Sequence, residues 1–341
     1  MKDSFHIQWH ITNLCNLRCQ HCYQEDFSKK EDLNWSGLKK ISDNVLTTLQ
    51  QWDKKACINL TGGEPLLKRE LFLLLDELNQ QSLVEELGVI TNSLLVDREV
   101  VRRLSAFSKL KKIKISLDGA DAKTNDEIRQ KGTFEKVIQN ISLIKEESRF
   151  EIVFMFTLMK RNFRSLLSLI RLCQDLGVNG LILERFIPWG RGREIMDEVL
   201  NKEQWKELVE TLLELFSTEM EEHNFNPYQA FQLIFKGDEM ELLGAPCVIG
   251  RDGLCIMPDG SVFPCRRFPI SIGNLLSDSL RQIWEGSKIL EKLRTKENLK
   301  GKCGRCEMED CRGCRSLALS LTGNYLEEDP HCQYQQRPIP N

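Results

Sequence analysis

The sequence predicts an α/β protein: a parallel sheet followed by a small cysteine-rich C-terminal region. Three observations carry this. Short β-like runs alternate with helical patterns six times before residue 223, and cysteine, glycine and proline rise from Pro246 onward. The thirteen cysteines are unevenly spread, with three in Cys15–Cys22 and eight between Cys247 and Cys332. Alternating β and α elements imply parallel strands joined by right-handed crossovers. Six units are too few for a closed eight-fold barrel, so a partial (β/α)6 barrel and an open doubly wound sheet both fit the periodicity.

Strand runs fall at Phe5–Ile11, Ala56–Leu60, Leu87–Thr91, Lys112–Leu117, Phe150–Thr157 and Gly180–Phe186. Each precedes a segment of helical period: Trp35–Gln51, Glu70–Gln81, Arg98–Phe107, Phe134–Lys145, Arg164–Leu176 and Lys202–Glu222. Cys57 opens an apolar run and Cys173 shares a helical stripe with Leu169, Leu172 and Leu176. Both read as small buried hydrophobes. The boundaries expected are a core at 1–223, a turn-rich connector at 224–245 and a tail at 246–341. The tail shows one convincing helix, near Leu280–Leu293, and looks too poor in regular elements to fold by burial alone, so metal staples are expected there.

A hydrophobic fraction of 41% and a charged fraction of 28% suit a globular chain, and a net charge of −3 offers no field for nucleic acid or anionic lipid. Met1–His10 has no signal-peptide h-region, and Lys68, Arg69 and Glu70 interrupt the apolar stretch Leu66–Leu75 well short of a membrane span. The expected location is the cytoplasm. In that reducing compartment, cysteines in such numbers read as ligands of metal or clusters.

Cys15-Asn-Leu-Arg-Cys19-Gln-His-Cys22 follows the first strand directly. Three thiolates in one tight loop can bind three irons of a cubane [4Fe–4S] cluster and leave the fourth iron open. An open metal position marks chemistry rather than structure. Zinc would need a fourth ligand, and adjacent His21 and Cys22 are poorly placed to reach one ion together. Thr61-Gly62-Gly63-Glu64-Pro65 follows strand two, Thr91-Asn92-Ser93 strand three, and Ser116-Leu117-Asp118-Gly119 strand four. All four motifs end consecutive strands, on the face where parallel barrels build active sites.

The Cys-x3-Cys-x2-Cys loop and the motifs after strands two to four resemble the radical S-adenosylmethionine (radical SAM) superfamily. The resemblance implies a partial (β/α)6 TIM-type barrel. It implies that Cys15, Cys19 and Cys22 hold the catalytic cluster, and that Gly62, Gly63 and Glu64 bind the methionine amino group of SAM. Asn92, Ser116 and Asp118 match polar strand ends that the family uses around SAM's ribose and carboxylate. The implied chemistry is reductive cleavage of SAM to methionine and a 5′-deoxyadenosyl radical, which abstracts hydrogen from a substrate. An electron donor such as flavodoxin or ferredoxin is implied as partner.

The tail runs Cys247-x7-Cys255-x9-Cys265, then Cys303-x2-Cys306-x4-Cys311-x2-Cys314, then Cys332. With Gly260 five residues before Cys265, this resembles the SPASM extension of radical SAM peptide maturases, which carries two auxiliary [4Fe–4S] clusters. The resemblance assigns Cys247, Cys255, Cys265 and Cys314 to an inner cluster, and Cys303, Cys306, Cys311 and Cys332 to an outer one, three clusters in all. The last two gaps of the knot are each one residue shorter than the family's usual spacing, which leaves the partition open. A zinc ribbon would want two Cys-x2-Cys pairs much further apart.

The commonest task of this family is modifying a ribosomally made peptide or a protein side chain. The first strand begins within about five residues of Met1, which predicts no built-in peptide-recognition domain and so either a separate recognition protein or a substrate read directly. The second reading is tetrapyrrole side-chain decarboxylation. Gly301-Lys-Cys303-Gly-Arg-Cys306, Gly313-Cys314-Arg and Gly323-Asn-Tyr-Leu-Glu-Glu-Asp-Pro resemble the haem-synthase branch. Arg185, Arg191 and Arg193 lie after strand six, where they read either as propionate binders or as solvated arginines. Sulfatase-type maturases carry an acid where Arg266 stands, which argues against that subgroup. A non-catalytic iron–sulfur or zinc-ribbon protein is the third reading, and no catalytic acid or base is identifiable.

Overall fold

The computed structural model describes residues 4–216, 228–237, 239–308 and 311–334. The first half repeats a strand–helix unit: β1 (Phe5–His10), α1 (Trp35–Trp52), β2 (Ala56–Thr61), α2 (Leu71–Gln80), β3 (Val84–Thr91) and α3 (Arg98–Ser105). It continues with β4 (Leu110–Ser116), α4 (Ala122–Ile128), α5 (Thr133–Glu147), β5 (Glu151–Leu158), α6 (Leu166–Leu176), β6 (Gly180–Arg185) and α7 (Lys202–Leu215). The end of the expected helix Lys202–Glu222, and the start of the expected connector, lie outside the described residues. Side-chain caps start several helices: Asn34, Asp97, Asp121 and Asn201 each accept from a backbone N–H of the first turn.

Strands β1 to β6 are parallel and lie side by side in sequence order. A doubly wound sheet would reverse its order at a switch point. The unbroken order therefore selects the partial barrel, and the sheet is not closed. Alternate residues bury against the helices: Phe5, Ile7 and Trp9 of β1, Ile58 and Leu60 of β2, and Ile113 and Ile115 of β4 join Leu38, Ile41 and Leu49 of α1 in one core. The opposite face of the strands carries Asn59, Lys114 and Glu184, and Lys114 donates to Asn59 Oδ1 at 2.9 Å.

The stretch expected as a connector instead extends the sheet. Tyr228–Lys236 forms β7, antiparallel to β6, and Glu239–Pro246 forms β8, antiparallel to β7. Phe231, Leu233 and Phe235 alternate inward, which is why the segment pairs. At the other edge, β9 (Gly253–Ile256) pairs in parallel with β1, and β10 (Ser261–Phe263) and β11 (Gly273–Asn274) follow it. The sheet thus runs through eleven strands from β11 to β8.

The expected helix at Leu280–Leu293 is two helices, α8 (Leu280–Gly286) and α9 (Lys288–Arg294), broken at Ser287, whose side chain caps the second. Beyond them lie α10 (Gly301–Arg305) and α11 (Arg315–Thr322). The tail also buries apolar surface of its own: Ile249, Phe268, Leu290, Leu293 and Leu319 form a separate cluster. It is better packed than its composition predicts.

Candidate active site and cysteine clusters

The loop after β1 lies across the end of β2. Gly63 N donates to Thr12 O at 2.8 Å, Glu64 N donates to Leu14 O at 2.8 Å, and Asn13 N donates to Asp32 Oδ1 at 3.0 Å. A Cβ on Gly62 would stand 2.3 Å from Thr12 O, and one on Gly63 would stand 2.4 Å from Leu14 O. The paired glycines are therefore required by the approach of the cysteine loop itself.

Cys15, Cys19 and Cys22 line one cavity of about 130 Å³, open to solvent, together with Gly62, Gly63, Asn92 and Ser116. No disulfide joins any of the thirteen cysteines. Burial pushes the Cys15 thiol up to about 11 and Cys22 to about 12, and Cys19 rises for the same reason. Three sulfurs around one space, beside the close backbone of Gly62 and Gly63, suit a soft iron–sulfur cluster with an open position. Among the described residues, no three His, Cys, Asp or Glu side chains converge on a single-ion site.

Two residues expected to touch the cofactor lie behind the wall. Glu64 is fully buried; Oε1 accepts from Thr91 Oγ1 at 2.7 Å and Leu66 N at 3.1 Å, and Oε2 from Asn92 N at 2.8 Å. Asp118 is also fully buried, 2.7 Å from Arg129 Nε and 3.2 Å from His21 Nε2, and it accepts from Thr157 N. Both carboxylates brace residues that do face the cavity: Asn92 in one case, His21 and Arg129 in the other. The short strand-end motifs look alike in sequence, and nothing local separates a wall residue from its brace.

Sequence reasoning missed most of the opposite wall. Arg129 follows α4, a helix absent from the expected set, and its guanidinium lies 3.9 Å from Cys19 Sγ. Tyr23 lines the cavity, with its hydroxyl 3.3 Å from His10 Nδ1. The segment after β6 closes over the loop, Gly192 N donating to Cys22 O at 3.0 Å and Arg191 N to Gln24 O at 3.2 Å. Of the arginine trio there, Arg185 is buried and paired with Asp329 at 2.8 Å, whereas Arg193 is exposed, stacked on Trp189 and paired with Glu25. Arg185 is thus not solvated.

Arg266 and Arg267, immediately after Cys265, reach the same cavity and share Glu184. Burial would raise the Glu184 pKa, but Arg266, Arg267 and Lys114 outweigh it and hold the carboxyl below its ordinary range. Arg129 is matched by Asp118 and Arg185 by Asp329, whereas Arg266 and Arg267 share the one carboxylate of Glu184. The wall shared by Arg266 and Arg267 is net positive.

The tail brings its cysteines into two groups. Cys303, Cys306, Cys311 and Cys332 line a small cavity of about 10 Å³ with Lys302, Gly313 and Asp329. Cys247 and Cys265 pack against the cluster of Ile249 and Phe268, and Cys255 lies on β9 opposite Phe263 of β10. Cys303, Cys306, Cys311 and Cys332 offer four sulfurs, the number that saturates a [4Fe–4S] cluster. Cys57 and Cys173 lie on β2 and α6, away from both groups and from the barrel cavity.

Comparison with known proteins identifies the family. The Radical SAM superfamily pattern matches residues 9–173, and that of the SPASM iron–sulfur cluster-binding domain matches residues 247–315. The chain is 31% identical to AdoMet-dependent heme synthase of Methanosarcina barkeri, over 96% of each chain. It is 28% identical to mycofactocin maturase MftC of Mycolicibacterium smegmatis, over 96% of this chain and 82% of that one. Streptococcus suis SuiB, solved with its precursor peptide SuiA, shares the fold with a TM-score of 0.70 at 16% identity, covering 98% of this chain and 77% of SuiB. Membership brings SAM and a [4Fe–4S] cluster as cofactors, and the SPASM domain adds auxiliary cluster sites. The chain belongs to the radical SAM superfamily and carries a C-terminal SPASM domain.

Proposed function

We propose that this radical SAM enzyme oxidises a carboxylate-bearing substrate, and that the substrate is a tetrapyrrole propionate. The observation that carries this reading is the net positive wall made by Arg266 and Arg267 around the single carboxylate of Glu184. The likeness to a heme synthase over 96% of both chains supports it. The order of the two substrate readings drawn from sequence is thereby reversed. An acidic peptide side chain, with a separate recognition protein, is the second reading, supported by the likeness to a mycofactocin maturase.

Cys15, Cys19 and Cys22 would hold the catalytic cluster, and the Gly62–Gly63 backbone, Asn92 and Ser116 would hold SAM. When bound, that pair supplies a one-electron cleavage giving methionine and a 5′-deoxyadenosyl radical able to take a hydrogen atom from carbon. Arg266 would grip the substrate carboxylate, with Glu184 keeping the guanidinium oriented. Tyr23, Phe186 and Ile187 line the same cavity and would exclude water. For a propionate, the carbon next to the ring loses a hydrogen atom, the bond to the carboxylate breaks, carbon dioxide departs and a vinyl group forms. One electron is left over. The two tail groups, Cys247, Cys255, Cys265, Cys314 and Cys303, Cys306, Cys311, Cys332, would hold its acceptors. A flavodoxin or ferredoxin would supply the electron that opens SAM.

The test supplies reconstituted enzyme, SAM and reductant with a propionate-bearing porphyrin or with a short acidic peptide. Carbon dioxide release with one 5′-deoxyadenosine per lost carboxylate supports the porphyrin reading; an unchanged porphyrin beside a modified peptide overturns it. Arg266→Gln should raise KM for the substrate about 10- to 100-fold, the loss of one charge-assisted contact. An unchanged KM would remove Arg266 from substrate binding.

A further inference from the structure

Arg315 is among the most deeply buried charged groups of the molecule, with 1% of its surface exposed. Its Nη1 donates to the carbonyls of Tyr325, at 3.0 Å, and Glu327. Its Nη2 lies 3.4 Å from Cys303 Sγ, and its Nε has no hydrogen-bond partner among the described residues. Among the described residues no carboxylate forms an ion pair with it, in contrast to Arg129, Arg185 and Arg266. A buried guanidinium is costly unless an anion stands beside it. The candidate anion is the outer cysteine group, since Cys303 lines that cavity.

Cys303 is also distinguished by its backbone contact, because Asp329 N donates to the same sulfur at 3.4 Å. One thiol therefore receives a neutral and a charged donor. Space for the second is kept open by Gly313, where a Cβ would stand 2.7 Å from Arg315 Nη2. Hydrogen bonds to the sulfurs and net local charge are the levers by which a protein sets a cluster's reduction potential. Each added electron makes the cluster more negative, and a cation at its ligand favours that state.

We propose that Arg315 is a positioning residue that raises the reduction potential of the outer cluster through Cys303, making this site the resting place of the electron released by the substrate. The inference rests on the reading that Cys303, Cys306, Cys311 and Cys332 hold a cluster. Arg315 does not reach the barrel cavity, so its effect is electronic and separate from substrate binding.

The experiment is an anaerobic potentiometric titration of the full chain, followed by electron paramagnetic resonance, with iron counted for each variant. Arg315→Gln should lower the outer cluster's reduction equilibrium at least tenfold, about 59 mV for a one-electron couple. Arg315→Lys, which keeps the charge but not the planar fork, should fall between it and the wild type. Wild-type potential in an iron-replete Arg315→Gln variant would overturn the proposal and leave the residue a structural strut. Should Arg315→Gln lose iron, Arg315→Lys decides alone: a downward shift supports the role and an unchanged potential overturns it. Absence of tail iron in the wild-type chain would instead overturn the cluster reading itself.

Discussion

Glu64 sits at the junction of three strand ends, with both carboxylate oxygens occupied. Burial lifts its pKa to about 7 from an ordinary 4.5, against the pull of the donors at Asn92, Thr91 and Leu66. An acid whose folded pKa is raised gives its full stabilisation below its unfolded value and loses it as pH climbs through the folded value. SAM-free protein should therefore lose on the order of 3 kcal/mol from this group between about pH 4.5 and pH 8. Glu64→Gln, which cannot titrate, should flatten that slope in thermal melts across the window. A wild-type slope in the variant would assign the dependence to another group. Arg266 belongs to the same scale: it stands next to Cys265 in sequence, but its partner Glu184 is 82 residues away. No local pattern announces such a pair.

At the scale of elements, the cysteine loop and the end of β2 behave as one unit, because Gly62 and Gly63 admit the loop's backbone. Gly63→Ala must push Leu14 O away, at a cost of about 1–3 kcal/mol. The expected result is a lower melting temperature and loss of iron from the barrel site with tail iron retained. Full barrel iron in that variant would mean the loop can dock without the close approach. The six parallel strands were legible because buried β runs alternate with long amphipathic helices. The β7–β8 hairpin was harder to read. Phe231, Leu233 and Phe235 mark one buried face, but Ile234 on the other face blurs the alternation. The motif Cys15–Cys22 was legible for a different reason, since its spacing carries the chemistry without help from the fold. Its bracing was not: Glu64 and Asp118 differ from Asn92 and Ser116 only in which way the strand end turns.

At the scale of the whole molecule, the barrel and the tail make separate contributions of metal. Removing Cys15, Cys19 and Cys22 together should leave about eight irons, four in each tail group. About four irons would mean one auxiliary cluster, and stoichiometric zinc with no iron would refute both. The tail is nonetheless joined to the barrel by backbone, because β9 adds to the sheet beside β1. That pairing has a consequence in time. The ribosome makes Phe5–His10 about 240 residues before its outer neighbour Gly253–Ile256. At about 5–20 residues per second, the edge of β1 waits roughly ten to fifty seconds for its neighbour. An unpaired strand edge invites pairing with other chains. The nascent protein therefore passes through a vulnerable interval during translation, and a chain stalled before residue 253 should accumulate in aggregates or under chaperone cover. A strand synthesised long before its neighbour is thus completed late.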